Sequence, residues 1–411
     1  MARAAARVAT TREWSYGLAW IGAHLAFMPL LVLLLPRRVE ALADGDAAVA
    51  LSRILLTGAL VASVANIGAG AFSDRWMSRR GSRQVPLIFG LALTMASYVG
   101  LAAADSLAAL AAAIVVFQIG LNATLSPLSA LLTDYFPDSE KGRIAGLANA
   151  ALPLSSAAIA PLAWLFPFDT ASSFLLIGAI AVACCAPLAI LWPFAPAAAC
   201  PTGTAPAASP GAPAGGRRDF ALAWVARFLV QLGAAFVIGY LYIFVAARFG
   251  ATGAGPASTT GERLGVLTLV AAILATLFAL GSGRISDRLG MRRLPLAVAA
   301  LAVASALAAL GVLPGWIAFV AAYALFHAAL VGFLAIDTAL VAEMLAPNPR
   351  RAALLGVMNL TNTLPAVLAP GIALLVLERE PTVAALAAAL TLCAIGCGFA
   401  ALAVLRIRSV R

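Results

Sequence analysis

Long apolar runs fill most of this chain and restrict what it can fold into. Each run is bounded by charged residues, glycine or proline, and about 20 apolar residues suffice for a helix to cross the hydrocarbon core of a bilayer. A spanning helix also satisfies its own backbone hydrogen bonds, which lipid cannot do for it. We therefore predict an all-α polytopic membrane protein with twelve transmembrane helices, over residues 15–36, 49–72, 84–104, 107–132, 143–166, 172–194, 219–247, 264–284, 294–313, 315–343, 352–377 and 382–405.

The composition argues against a soluble domain. The chain is 63% hydrophobic and 11% charged, whereas soluble proteins are about 45–50% apolar and about 25% charged. The lipid bilayer is therefore the expected surroundings of the chain. A net charge of +10 would indicate nucleic-acid binding in a soluble protein, but basic residues also accumulate on the cytoplasmic loops of membrane proteins. We expect no nucleic-acid partner.

The positions of the basic residues predict the orientation. If both termini are cytoplasmic, 20 of the 27 Lys and Arg residues fall on the cytoplasmic side, and Arg53 and Arg227 fall inside spans. Such an excess is the pattern that fixes membrane topology. We expect a multi-pass protein of the bacterial inner membrane with both termini inside. The five exceptions on the outer side are Arg37, Arg38, Arg248, Arg263 and Arg379.

A polar segment divides the chain into halves. Residues 195–218 are rich in Pro, Ala, Gly and Ser and have no apolar period, which is typical of a disordered linker. We predict a cytoplasmic linker there, between an N-terminal six-helix bundle (1–194) and a C-terminal one (219–411). Short phrases recur in the two halves in the same order, at offsets of 204 to 213 residues, which indicates an internal duplication.

The most specific repeat is a charged string. Its first copy runs Gly70–Arg75 and continues with Arg79–Gly81, and its second copy is Gly283–Gly290 followed by Arg292 and Arg293. Each copy closes one apolar run and precedes another, so we expect a short charged turn between two helices, once per half. A duplicated membrane protein with charged gates at matched positions is typical of a secondary transporter.

These strings resemble the loop signature of the major facilitator superfamily, G-x-x-x-D-R-x-G-R-R, which lies between helices 2 and 3 and recurs between helices 8 and 9. Trp76–Ser78 stretch the first copy. The resemblance covers the whole chain. It implies two pseudo-symmetric six-helix bundles and alternating access around a cavity lined by helices 1, 4, 7 and 10. The phrases Asp337–Leu340, Leu355–Asn359 and Asn362–Pro365 also resemble the sucrose/proton symporter-like and glycoside-pentoside branches.

The resemblance further implies a cytoplasmic network of gating charges. Ion pairs that form in one state and open in the other would set the balance between the two states. The alternative is that these residues are surface charges that only fix the topology. The residues assigned to the network are Asp74, Arg75, Arg79, Arg80, Asp134, Asp287, Arg288, Arg292 and Glu343.

Ionisable residues inside predicted spans are candidates for function, because an unpaired charge at bilayer depth is costly. Asp337 is the one acidic residue more than about a turn inside a span, and Arg227 lies at a similar depth. We predict that they pair. A carboxylate with an exchangeable partner can take and release a proton, so Asp337 and Arg227 are the proton-coupling candidates. The alternative is a static ion pair that joins helices 7 and 10.

Other polar residues at depth are candidates for solute contacts. Histidine also titrates near neutral pH, so it could join a proton relay. The alternative is hydrogen bonding between helices, worth about 0.6 kcal/mol on average in membrane bundles. The predicted substrate-cavity residues are His24, Gln118, Asn122, Gln231 and His327.

The sequence contains no phosphate-binding loop and no metal-ligand spacing, so we expect neither an enzyme nor a cofactor. The predicted function is monomeric, proton-coupled secondary transport of a small-molecule substrate, a polar solute with a sugar as one candidate. Two alternatives stay open. One is a proton-antiport efflux pump for amphipathic compounds, and the other is a non-transporting membrane scaffold or assembly factor.

Overall fold

A computed structural model gives the fold, and its regular elements are all helical over the part of the chain that it describes. The chain divides into two compact units, Met1–Gly203 and Thr204–Arg411. The described residues are 2–43, 45–136, 144, 148, 151–152, 154–166, 170–192, 216–250, 260–289, 291–345, 351–377 and 382–408.

The first unit begins with one long apolar span made of three helical segments. Pro36 lies in the first turn of the third segment and Pro29 ends the first. Proline lacks a backbone donor, and the π-helical segment between the two prolines widens the backbone locally. The described helices of this unit are α1 (Ala2–Pro29), a π-helix (Leu30–Leu34), α2 (Leu35–Leu42), α3 (Ala47–Arg80), α4 (Gln84–Ala103), α5 (Leu107–Tyr135), α6 (Ile159–Leu165) and α7 (Thr170–Leu191).

The second unit repeats this order of long apolar helices. Its described helices are α8 (Arg217–Phe249), α9 (Thr260–Leu289), α10 (Arg293–Val312), α11 (Trp316–Leu345), α12 (Arg351–Leu377) and α13 (Thr382–Leu405).

The all-α polytopic fold class is confirmed. Eleven helices in the described part of the chain are long and apolar enough to cross a membrane, and they correspond to eleven predicted spans. The fifth predicted span, 143–166, lies partly outside the described residues, and its described part includes a shorter apolar helix, Leu154–Leu165. The units divide within the predicted linker, 195–218, of which only 216–218 are described. The domain boundaries therefore stay a prediction.

Local signals set the helix ends. Asp46 caps α3, since its side chain accepts hydrogen bonds from the backbone N–H groups of Ala48 and Val49, as N-cap residues do. At the other end, Gly81 has φ 66° and its backbone N–H donates a hydrogen bond to the carbonyl of Met77. This left-handed cap favours glycine.

The same helix pairs pack in both units. In the first, α5 packs against α3 and α4, and α7 packs against α1 and α4. In the second, α11 packs against α9 and α10, and α13 packs against α8 and α10. The duplication read from the sequence is thus present in the internal packing of each bundle.

Glycines allow α4 and α5 to approach closely. A Cβ at Gly90 would lie 2.5 Å from the backbone nitrogen of Thr124, and a Cβ at Gly120 would lie 2.7 Å from that of Thr94. Each glycine thus faces backbone of the opposite helix. Small residues at such positions are what permits tight helix packing in lipid.

The Gly90→Ala variant should be destabilised, because its new methyl group would meet backbone that cannot rotate away. We expect a loss of about 1–3 kcal/mol, as for overpacked cores, seen as a lower melting temperature of the detergent-solubilised protein. Gly68→Ala is the control, since no atom of the described residues lies within 4 Å of its added Cβ. Equal melting temperatures for the two variants would contradict the proposed packing.

Candidate functional site

Asp337 and Arg227 lie in contact between two helices of the second unit. Arg227 on α8 donates through Nη1 to Oδ2 of Asp337 on α11, at 2.9 Å. The Asp337 side chain is 1% exposed and that of Arg227 is 17% exposed. A hydrogen bond between two charged groups is stronger than a neutral one, and this bond joins α8 to α11.

The ion pair leaves two buried atoms unsatisfied. Neither Oδ1 of Asp337 nor Nε of Arg227 has a hydrogen-bond partner among the described residues. A buried polar atom without a partner costs about 1–3 kcal/mol. Among the described residues, the carboxylate is therefore bound through one oxygen.

A row of side-chain amides extends from the ion pair. We call Gln231, Asn362 and Asn359 the amide row. Oδ1 of Asn362 accepts from Nε2 of Gln231 at 2.8 Å and lies 3.5 Å from Nη2 of Arg227. Nδ2 of Asn362 donates to Oδ1 of Asn359 at 3.0 Å. Both asparagines are exposed, so hydrogen-bonding groups continue from a buried carboxylate to an accessible face of α12.

Two members of the amide row were not among the predicted site residues. Gln231 was predicted, but Asn359 and Asn362 were not. The signal for them was their spacing, because residues three apart share one face of a helix.

The two histidines make contacts within their own helices. Nε2 of His327 lies 2.9 Å from the hydroxyl oxygen of Tyr323, and Nδ1 of His24 donates to the carbonyl of Trp20 at 2.9 Å. His327 is ten residues from Asp337 on α11, about 15 Å along the helix axis. The structure therefore does not bring His327 to the ion pair, and its role in solute binding stays a prediction, as does that of His24.

Gln118 and Asn122 lie where α5 packs on α3. Both are buried. Oδ1 of Asn122 accepts from Nδ2 of Asn66 at 3.1 Å, and Nε2 of Gln118 would lie 3.4 Å from a Cβ at Gly58. This placement favours the alternative of hydrogen bonding between helices over solute contact. The substrate-cavity role of these two residues stays a prediction.

The charged string of the first unit is organised by Arg83. Nε of Arg83 donates to Oδ2 of Asp134 at 2.7 Å, and Nη1 donates to Oδ1 of Asp74 at 2.8 Å and to Oγ of Ser73 at 2.7 Å. Burial alone would lower the pKa of the Arg83 guanidinium, but the bonds to Asp134 and Asp74 outweigh it and raise that pKa. Arg83 thus ties the ends of α3 and α5 to the start of α4.

The expectation that this string forms a turn was wrong for most of its length. α3 continues through Arg80, and only Gly81–Arg83 separate it from α4. Neither glycine nor proline lies between Gly70 and Gly81, so the helix extends beyond the apolar run. Arg75, Arg79 and Arg80 are exposed, and none makes an ion pair in the described part of the first unit.

Arg83 was missed as a network residue. It follows the arginines that match the loop pattern, and its contacts depend on how three helices meet. The available signal was its position immediately before the next apolar run.

The described side chains of the second copy of the string include one ion pair. Nε of Arg292 lies 2.9 Å from Oε2 of Glu343, with side chains that are 30% and 54% exposed. The backbone at Asp287 and Arg288 is helical, again in place of the expected turn, while their side chains lie outside the described part. The gating role of both copies stays a prediction.

Comparison with known proteins gives one family. The model of the Major Facilitator Superfamily matches residues 15–370. No curated protein matches the chain at a significant level. Among the described residues, no group of three or more His, Cys, Asp or Glu side chains could hold a metal ion.

The Arg83→Gln variant should be less stable than wild type, because Asp134 would lose a charged partner in a partly buried position. We expect a loss of about 1–3 kcal/mol, measured as a shift in melting temperature in detergent. Arg79→Gln removes the same charge from an exposed side chain and should change stability by less than about 0.5 kcal/mol. If Arg79→Gln lowers stability as much as Arg83→Gln does, Arg83 does not organise this network.

Proposed function

The chain belongs to the major facilitator superfamily, a family of secondary transporters, and we propose that it moves a small polar solute by proton-coupled alternating access. The multi-pass protein is proposed to act as a monomer in the bacterial inner membrane, with both termini in the cytoplasm. Proton coupling is the part of this proposal that the contacts of one side chain support most directly.

That side chain is Asp337. Its charge is buried and balanced by one partner, and its second carboxylate oxygen has no protein partner among the described residues. A proton on this carboxylate would remove the attraction to Arg227 and weaken the contact between α8 and α11. Protonation therefore has a mechanical consequence within the bundle, which is what coupling requires.

The amide row supports a polar solute. Amide groups both donate and accept hydrogen bonds, and those of Asn359 and Asn362 are accessible. They can bind hydroxyl groups of a neutral solute without adding a net charge, which is consistent with a sugar. Oδ1 of Asn362 lies 3.5 Å from Nη2 of Arg227. The affinity of the amide row for a solute would therefore depend on whether Arg227 is bonded to Asp337.

The gating charges would act at the ends of the helices. In the first unit, Arg83 holds two acidic residues and one serine. Opening these bonds would free the ends of α3 and α5 from α4. We propose that the network stabilises one state of the transport cycle over the other.

The Asp337→Asn variant tests proton coupling. It retains the shape of the side chain but cannot carry the charge, so proton-driven accumulation of solute should fall to background while solute exchange across the membrane persists. The measurement is solute-dependent pH change in proteoliposomes, screened over sugars and small organic acids. Full proton-driven accumulation by Asp337→Asn would reject the coupling role.

Asp219→Asn is the matched control for this variant. Asp219 is another buried aspartate of the second unit, and it accepts from the backbone N–H of Arg408 at 3.0 Å. Its amide should retain proton-driven transport. Failure of every solute to move in the wild-type protein, with both variants folded, would favour the scaffold alternative.

The Asn362→Ala variant tests the amide row. Loss of a hydrogen-bonding amide should raise the KM for the transported solute about 5- to 15-fold, which corresponds to about 1–1.5 kcal/mol. Ser305→Ala is the control, since its exposed hydroxyl donates to the carbonyl of Leu301 in its own helix. An unchanged KM for Asn362→Ala would remove the row from the solute site.

A further inference from the structure

Four arginines that oppose the general charge distribution share one kind of contact. The first long span of each bundle finishes at one end of that bundle, which we call the distal end. In the proposed orientation this is the outer face. Arg37, Arg38, Arg248 and Arg263 lie there. Each of them donates to a backbone carbonyl at the carboxyl end of a helix.

In the first unit, two neighbouring arginines reach two different helix ends. Nη2 of Arg38 donates to the carbonyl of Ala104, the C-cap of α4. Nη1 of Arg37 donates at 3.0 Å to the carbonyl of Phe166, the C-cap of α6. The first span is therefore fastened to α4 and α6 at its distal end.

In the second unit, Arg248 at the end of α8 makes three such contacts with α10. Nη1 lies 2.8 Å from the carbonyl oxygen of Leu310 and 3.3 Å from that of Gly311, and Nη2 lies 2.6 Å from that of Leu313. These residues form the last turn and the C-cap of α10. One guanidinium thus binds three carbonyls at the carboxyl end of that helix.

Aromatic rings support the cations of the second unit. The guanidinium of Arg248 lies 5.6 Å from the ring of Phe244, and that of Arg263 lies 5.6 Å from the ring of Trp316. Nη1 of Arg263 also donates at 2.5 Å to the carbonyl of Phe249, the last residue of α8. A cation near an aromatic face is stabilised by the ring.

The contact between first and third long helices is duplicated. Arg248 follows Arg38 by 210 residues, and Leu313 follows Ala104 by 209. Both offsets lie within the range of the repeated phrases. Both halves therefore have an arginine at the equivalent position, and in both it binds the carboxyl end of the equivalent helix.

The physical reason for an arginine here is the helix end itself. The last four carbonyls of a helix have no partner within it, and they form the negative end of the helix dipole. A guanidinium has five donors in a fixed plane, so it can bind several of these carbonyls and supply the opposite charge. If these arginines served only as charges that fix the membrane topology, none of these hydrogen bonds would be needed.

We propose that Arg38 and Arg248 are positioning residues that clamp the first long helix of each bundle to the third. The clamp makes the distal end of the first helix move with its own bundle. Arg227 and Gln231 lie on α8, the helix that Arg248 clamps, so the clamp would transmit bundle motion to the proposed solute site. The last step rests on the proposed function, whereas the clamp itself does not.

Hydrogen exchange by mass spectrometry tests the clamp without any solute. In Arg248→Gln, amides in the last turn of α10 (309–313) should exchange about three- to tenfold faster than in wild type, because that helix end loses its cap. Arg38→Gln should do the same at 100–104 of α4. Arg248→Lys retains the charge and should give a smaller increase.

Arg53→Gln is the matched control. Arg53 lies near the same end, and its exposed side chain makes no hydrogen bond or ion pair in the described part of the first unit. Exchange in α4 and α10 should not change in this variant. If Arg248→Gln and Arg38→Gln also leave exchange unchanged at their target helix ends, the clamp is rejected.

A transport assay distinguishes a positioning role of Arg248 from a role in stability alone. With a solute that wild type moves, turnover per folded Arg248→Gln transporter should fall several-fold with unchanged KM, and Arg248→Lys should restore part of it. Faster exchange with unchanged turnover would reject the positioning role and leave only a structural cap. If wild type moves no solute in the panel, the proposed function fails while hydrogen exchange still decides the clamp.

Discussion

The buried contact between Arg227 and Asp337 is the interaction on which the proposed mechanism depends. A charge in a low-dielectric interior is tolerated only with a partner, and in the described part of the chain Asp337 has one such partner, Arg227, which binds one of its oxygens. The contact also joins α8 to α11, two helices with few other direct contacts. A change in the charge of one side chain is therefore a change in how two helices are held together.

The two bundles share their packing but not their polar groups. Equivalent helix pairs pack in both, and equivalent arginines cap equivalent helix ends. The first bundle, however, has a hydrogen bond from Asn66 to Asn122 between α3 and α5. The second bundle has instead the ion pair of Arg227 and Asp337, which joins a different pair of helices, α8 and α11. The duplication thus supplies a common frame, and different polar residues within it give the two bundles different chemistry.

Apolar run length and bounding charges were enough to predict the fold, because spanning length and backbone satisfaction leave little choice of structure in lipid. The pairing of Asp337 and Arg227 was also foreseeable, since matched depth and opposite charge limit the available partners. The extension of α3 through Arg80 was not, because polar residues beyond the bilayer do not end a helix. The contacts of Arg83, His327 and Asn362 depend on side-chain direction and helix approach, which neither spacing nor composition fixes.

In the proposed mechanism, Asp337 changes its protonation state while it remains buried. Infrared difference spectroscopy of the reconstituted protein, titrated between about pH 5 and about pH 8, observes protonated carboxyl groups directly. We expect a titrating band of a buried carboxyl group in the wild-type protein that is absent from Asp337→Asn and retained in Asp219→Asn. Identical difference spectra for wild type and Asp337→Asn would show that Asp337 does not change its protonation state.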